Sequence, residues 1–541
     1  MKQKKIDKKK FDVLNKILLI FLCLQPVFDI YMSVVGETLD ILGISIATLI
    51  RTTLTTVLFG IVVYYQIREK MHIKLLCLIL AYLGVVVLYT LAHHLNIVYS
   101  NGYYVSEGIY NIVTEIMYVE RLIIPVLLIY IVIITKLSKI KLEKVLVFVA
   151  TFVSLVIIIS NLFKVSFASY AQTSDNTMIT YNIIDWFTKE DVSYGESLSK
   201  GFFVSANQIG ALLVVLLPIV IYKMLKENKI HLYLIFFIQI IAMTLIGTRV
   251  ASLGWILVCI AVAIIYLMLL FMKKVNRVSL LSLCGIIVIL ELGMLLYFNS
   301  PAQNRDFAES YDGMYEDEIE EKENTGEYIA LEAFSNMLEN EDKLIEYVGD
   351  DISDKGLEYD AMCKYISETH KYHYITQKYI NNIYPYEDDP KFWLDIFAAP
   401  LSIKADNRGR QIEIVKRIKQ NNNNVLWDTL LGMGATPMNS RGYMIENDLI
   451  SHYYNLGIVG SIIFVAPFVF CIVYVIIQQR KSFRNLFNIK LLAYILSIAM
   501  AYFVGYFAGH VLDEYIVTIF LAVIAASIYN LYGEGELDEN T

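Results

Sequence analysis

The sequence predicts an all-α polytopic membrane protein of about twelve transmembrane helices, with a large, mainly helical external loop domain between the ninth and tenth. Three observations predict it. Of 541 residues, 57% are hydrophobic and 18% charged, and only 9 are proline, which is unlike a soluble enzyme of this size. About twelve apolar stretches meet or approach the length of roughly 20 residues that a helix needs to cross hydrocarbon about 30 Å thick. The connections between them alternate between basic and acidic or nearly neutral.

The spans are expected near residues 13–33, 41–65, 73–93, 110–136, 144–163, 202–225, 230–247, 250–272, 279–298, 449–477, 489–508 and 512–532. The first is flanked by the lysines of "MKQKKIDKKK" and shows no small-residue cleavage site, so it reads as an uncleaved span. "QIREKMHIK", "KLSKIKLEK", "KENKIH", "KKVNR" and "RKSFRNLFNIK" fall in alternate connections. Lysine and arginine are retained on the cytoplasmic side, so both termini are expected there. Residues 299–447 carry 29 Asp and Glu against 15 Lys and Arg, a net −14 that leaves +6 on the rest of the chain. That loop is expected outside, and its acidity argues against nucleic acid as a partner. The resulting organisation is spans one to nine over residues 1–298, the external domain over 299–447, and spans ten to twelve over 448–541.

At 149 residues the loop is too long for a simple connector. Its helical periodicity, as in "EYIALEAFSNMLENEDKLIEYV", predicts a small folded domain, whereas "NRDFAESYDGMYEDEIEEKENTGE" is the least foldable part because like charges repel. Tyr372, Tyr374, Tyr379, Tyr384, Tyr386 and Trp393 crowd together, either as that domain's core or as rings that stack on sugars. Of six cysteines only Cys363 falls outside the spans, so no disulfide framework is expected.

Four arginines stand where lipid or its outer margin should be. Arg51 lies roughly ten residues into the second span, Arg121 follows Glu120 in the outer half of the fourth, Arg249 sits in the tight turn "LIGTRVASLG", and Arg410 lies in "DNRGRQIEIVKRIK". An ionised side chain in a span needs a partner or a water-filled cavity. Guanidinium forks bind phosphate bidentately, so the group reads as an anion site. The alternatives are local: Arg121 pairs with Glu120 or Glu115, and Arg410 belongs to a solvated helix face, while Arg51 has no obvious local carboxylate.

Four stretches together resemble the O-antigen ligase and Wzy-type polysaccharide polymerase superfamily of bacterial envelope enzymes. They are "GFFVSANQIGALLVVLLP" with Asn207, "TLIGTRVASLGWI" with Arg249, "NRGRQIEIVKRIKQNNNNVLWDTLLGMGATP" with Arg410 and a Gly-x-Gly turn, and "ENDLISHYYNLGIVG", which returns to the membrane and ends in Gly-x-x-Gly. Their order and sidedness agree over residues 202–460. The resemblance implies transfer of glycan from a polyprenyl-diphosphate-linked donor to a glycan acceptor, at the outer face of a bacterial cytoplasmic membrane. It implies no cofactor and no metal, and it leaves room for other polysaccharide assembly proteins as partners. Arg249 and Arg410 come from the motif match; Arg51 and Arg121 are added for their burial and sidedness.

Family ligases carry a His followed by Asn eleven residues before the first Gly of the returning helix, and here that position is Glu446, followed by Asn447. A carboxylate can take a proton from an attacking sugar hydroxyl as an imidazole does. Glu446 is therefore the expected general base, with Asp448 and, four residues on, His452 as supports. The alternative is that Glu446 and Asp448 merely cap the tenth span. His510, beside Asp513 and Glu514 in the last external turn, is a further candidate for the same cavity. "HKYH" at 370–373 has too few ligands for a metal, and no nucleotide-binding loop appears.

The expected activity is polymerisation of lipid-linked repeat units. A ligase acting on finished glycan is the alternative. A glycosyltransferase using a polyprenyl monophosphate sugar would need acidic residues in the first external loop, where "GETLD" offers only Glu37 and Asp40. A transporter of lipid-linked oligosaccharide would be expected to show two repeated halves, and the large loop has no counterpart in the first half.

Overall fold

The computed structural model describes all residues except 1–7, 36–44, 101, 171–176, 277, 305–314, 326–327, 350–351, 436–444, 481–482 and 534–541. Glu37 and Asp40 therefore lie outside the described residues. Twelve apolar helices form the membrane body: α1 (Lys8–Val35), α2 (Ile46–Glu69), α3 (Ile73–Ser100), α4 (Ile112–Thr135), α5 (Lys139–Leu162), α6 (Ala206–Glu227), α7 (Ile230–Ile246), α8 (Arg249–Phe271), α9 (Leu280–Phe298), α10 (Asp448–Gln478), α11 (Ile489–Phe507) and α12 (Tyr515–Gly533). The protein is all-α, and ten of these helices are long and apolar enough to cross a membrane. The other two, α7 and α12, are shorter apolar helices; α12 is buried almost throughout, and α7 buries mainly its second half.

Burial sorts the helices into an inner and an outer set. Both α6 and α12 are apolar on every side and buried almost throughout, with α4 packed on α12, and α8 and α11 on α6. By contrast α9 touches the body mainly through α7 and exposes most of its surface, which is how a lipid-facing helix reads. Polar pairs close the body at the end away from the loop domain, where Glu143 binds Lys490 at 2.9 Å and Tyr494 at 3.2 Å.

Between α9 and α10 the chain forms a helical domain with its own core, built on Phe334, Tyr365, Trp393 and Phe397. The aromatic crowding noted in the sequence is largely this core: Tyr372, Tyr379, Tyr384 and Trp393 are all buried, and Phe334 stacks on Tyr365 at 4.0 Å. The two histidines of the HKYH stretch are also absorbed. His370 bonds the Ile375 carbonyl, and His373 stacks on Phe397 at 4.0 Å, where burial pulls its pKa down to about 3 and keeps it neutral.

A break in α10 locks this domain to the membrane body. Gly457 has φ +68° in the middle of the helix, a left-handed conformation that costs glycine little. The break releases backbone carbonyls that must find other donors inside an apolar environment. Met433 N and Gly434 N reach the carbonyls of Tyr454 and Asn455 at 2.8 and 3.0 Å, and Tyr89 Oη donates to that of Leu456 at 2.6 Å. A Cβ on Gly457 would lie 2.5 Å from Gly432 N, and one on Gly460 would overlap the Tyr89 hydroxyl. The Gly-x-Gly and Gly-x-x-Gly motifs are therefore two halves of one contact. His93 supports it, bonding the Leu431 carbonyl at 2.6 Å and Glu115 at 2.9 Å, while the other Glu115 oxygen accepts from Ala435 N at 2.9 Å. Tyr89→Phe leaves the Leu456 carbonyl without this donor and is expected to cost about 1–3 kcal/mol, read as a lower unfolding temperature in detergent; an unchanged temperature would remove the hydroxyl from the lock.

Candidate functional site

The turn 508–514 between α11 and α12 lies against the stretch that opens α10. Gly509 passes so close that a Cβ there would be 2.5 Å from Glu446 Cα. Asp448, only 1% exposed, accepts the backbone N–H groups of His510, Val511 and Leu512 at 2.5, 2.9 and 2.7 Å. Its carboxylate is thereby committed to holding the turn. The residue that caps α10 is Asn447, which accepts from Ile450 N at 3.1 Å, so the capping role does not fall to Glu446 or Asp448.

Glu446 stands at the mouth of this arrangement with a 41% exposed side chain, and Arg408 Nε approaches its Oε2 at 3.3 Å. Its backbone N–H is held by Gln411 at 3.0 Å. His452 lies deeper, 5% exposed, with Nε2 lacking a hydrogen-bond partner among the described residues and the charge of Asp513 nearby. His510 adopts φ +63°, a strained conformation for a residue with a side chain, and its Nδ1 is 3.8 Å from Asp513 Oδ2. Burial alone would lower the His510 pKa, but Asp513, Asp448 and Glu514 outweigh it and push it up to about 9.

Two of the four arginines meet at the far end of the same turn. Arg51 is 3% exposed; its Nε donates to Gln25 Oε1 at 2.9 Å, and the rings of Phe28 and Tyr515 flank it at 5.7 and 5.8 Å. The charges around it are Asp29, Glu514 and Arg121. Arg121 is 36% exposed and lies 3.5 Å from Glu514. Its expected local partner Glu120 instead accepts from Tyr515 Oη at 3.1 Å. The carboxylates that sequence did not offer Arg51 come from α1 and from the last turn. Asp29 is itself fixed by Val204 N at 3.1 Å, ahead of α6.

The remaining candidates are placed apart. Arg249 is exposed at the first turn of α8, whose start packs on α6: a Cβ on Gly210 would be 3.1 Å from Ala251 Cβ. Asn207, half-buried in the first turn of α6, shares that neighbouring opening. Arg410 is 3% exposed inside the loop domain, bonded to the carbonyls of Tyr374 and Lys404 and to Asn407, with its guanidinium 4.4 Å over Tyr379. It holds that domain together, and Arg408, two residues earlier, is the arginine that turns toward Glu446.

An exposed carboxylate, a half-exposed guanidinium and a buried histidine are thus assembled by one short turn on the loop-domain side of the bundle. No curated protein and no solved structure matches the chain. Residues 11–532, nearly its whole length, match the family model described as O-antigen ligase like membrane protein, and the chain belongs to that family.

Proposed function

We propose that this membrane glycan-processing enzyme polymerises polyprenyl-diphosphate-linked repeat units into a surface polysaccharide, at the outer face of a bacterial cytoplasmic membrane. The observation that carries the reading is the turn 508–514, which has Glu446 at one end and Arg51, Arg121 and Glu514 at the other. The acceptor hydroxyl attacks the anomeric carbon of the donor, its oxygen–carbon bond forming as the bond to the diphosphate breaks. Glu446 takes the hydroxyl proton. Arg121, with Arg51 behind it, stabilises the negative charge that grows on the departing diphosphate. No step in this scheme calls on a metal, so turnover should survive a chelator. His452 and His510 tune the field beneath the site; Arg249 and Asn207 stand apart from it, at the starts of α8 and α6.

The abundance of Lys, Ile, Asn and Tyr points to an AT-rich genome, and a Gram-positive source would have no lipid A core for a ligase to modify. Mass spectrometry of lipid-linked glycans from cells lacking the protein tests the assignment. Single repeat units accumulating on the carrier support the polymerase, and long chains accumulating there would reassign it as a ligase.

The scheme also requires residues 299–447 to lie outside, as the distribution of basic residues implies. A reporter active only outside should work when fused near residue 350 and be silent at residue 275. The reverse pattern would put the site on the wrong side for a translocated donor.

A further inference from the structure

The helix Val425–Leu431 is turned inside out for a water-facing element. Val425, Leu426 and Trp427 are 44%, 68% and 52% exposed, whereas Asp428 is 1% exposed. Asp428 accepts from Asn96 and Asn422, each at 2.9 Å. Apolar residues outward and a carboxylate inward make sense only where the outside is not water.

Its position says what the outside is. Asn96, one turn before the end of α3, also donates to the Gly432 carbonyl at 3.1 Å, so the short helix is strapped beside the last turns of a membrane span. On those turns Leu91, Leu95 and Tyr99 are 55%, 47% and 79% exposed, continuing the lipid-facing surface of α3 up to the level of Trp427. That level is where a span leaves hydrocarbon, and tryptophan is favoured there because its ring is apolar and its N–H can be hydrated. A second segment on the same side repeats the pattern: Ile184 and Phe187 are 57% and 50% exposed, and Asn182 ties that segment to the Leu162 carbonyl at the end of α5.

We propose that Val425–Leu431 is a membrane-surface anchor, with Leu426 and Trp427 seated among the lipid headgroups and the first acyl carbons. The occupant of this apolar face is the bilayer. Through Asp428 and the Gly432–Gly434 turn the anchor fixes the height of the loop domain over the broken helix α10. The anchor does not depend on which reaction the protein catalyses.

The chain has four tryptophans, and Trp186, Trp255 and Trp393 are 8%, 1% and 0% exposed, so Trp427 can be isolated by difference. The full-length protein and Trp427→Phe are reconstituted in phosphatidylcholine vesicles whose lipids carry bromine at the 6,7 or the 11,12 acyl positions. The emission that Trp427→Phe removes should be quenched more by 6,7-bromolipid than by 11,12-bromolipid, and should resist aqueous iodide. A Trp427 component indifferent to both bromolipids and quenched by iodide would overturn the anchor and leave the face open to water or to a protein partner. Quenching deepest at 11,12 would overturn the headgroup placement.

Discussion

Arg121→Gln is expected to lower glycan transfer per folded molecule on the order of 10² to 10³ fold, the scale of losing one preorganised group that stabilises developing charge. Folded protein should be nearly unaffected. The side chain is 36% exposed, and its contact with Glu514 at 3.5 Å is a loose ion pair of the kind that contributes little to stability. That separation of roles makes Arg121 a cleaner test than Arg51, which is 3% exposed among Gln25, Asp29 and Glu514. Truncating Arg51 would remove a cation that faces the buried Asp29, and the loss of fold would mask any loss of chemistry. Arg121→Lys discriminates further. It keeps the charge but not the fork, so turnover between that of wild type and of the Gln variant indicates bidentate recognition of the diphosphate. Near wild-type turnover in Arg121→Gln would show that this guanidinium serves Glu514 alone.

The membrane body was legible because hydrocarbon imposes one requirement, length of apolar helix, that single residues cannot disguise. Even the two short helices α7 and α12 were visible as apolar runs. The site was less so, and Arg410 shows why. Its family motif drew attention to it, yet Arg410, Ile414 and Ile418 recur at helical spacing and are all buried on one face of the helix Asn407–Asn421. That periodicity was available and placed Arg410 inward, leaving Arg408 on a different face to meet Glu446. Other contacts left no trace. Asp448 binds three amides sixty-odd positions away, and Asp29 approaches Arg51 from another helix. Spacing within one helix says nothing of such pairs, since they depend on how helices cross. The glycine motifs lay between these extremes: each pointed to a tight turn, but only the packing of Gly432 against Gly457 showed that both belong to one contact.

The variants Glu446→Gln and Asp448→Asn, two residues apart, are expected to fail in opposite ways. Glu446 is exposed at the mouth, touched by Arg408 at 3.3 Å, and holds no buried structure with its side chain. Glu446→Gln keeps the shape and removes the basicity, so transfer should fall on the order of 10² to 10⁴ fold with donor binding and folded yield retained. Asp448 is 1% exposed and satisfies three backbone amides of the turn 508–514. An amide offers those donors one oxygen and no charge, so Asp448→Asn should cost about 2–5 kcal/mol, seen as a lower unfolding temperature and yield. Whatever Asp448→Asn protein does fold should then show reduced transfer only in proportion to the loosened turn. His452→Gln separates a third role, because its Nε2 is buried near Asp513 without a bonded partner among the described residues. If His452→Gln stays folded and loses transfer while Glu446→Gln remains active, the base is the buried imidazole and the carboxylate at the mouth only pairs with Arg408. If all three variants keep their turnover per folded molecule, proton removal is not limiting and the rate rests on the arginines at the leaving group.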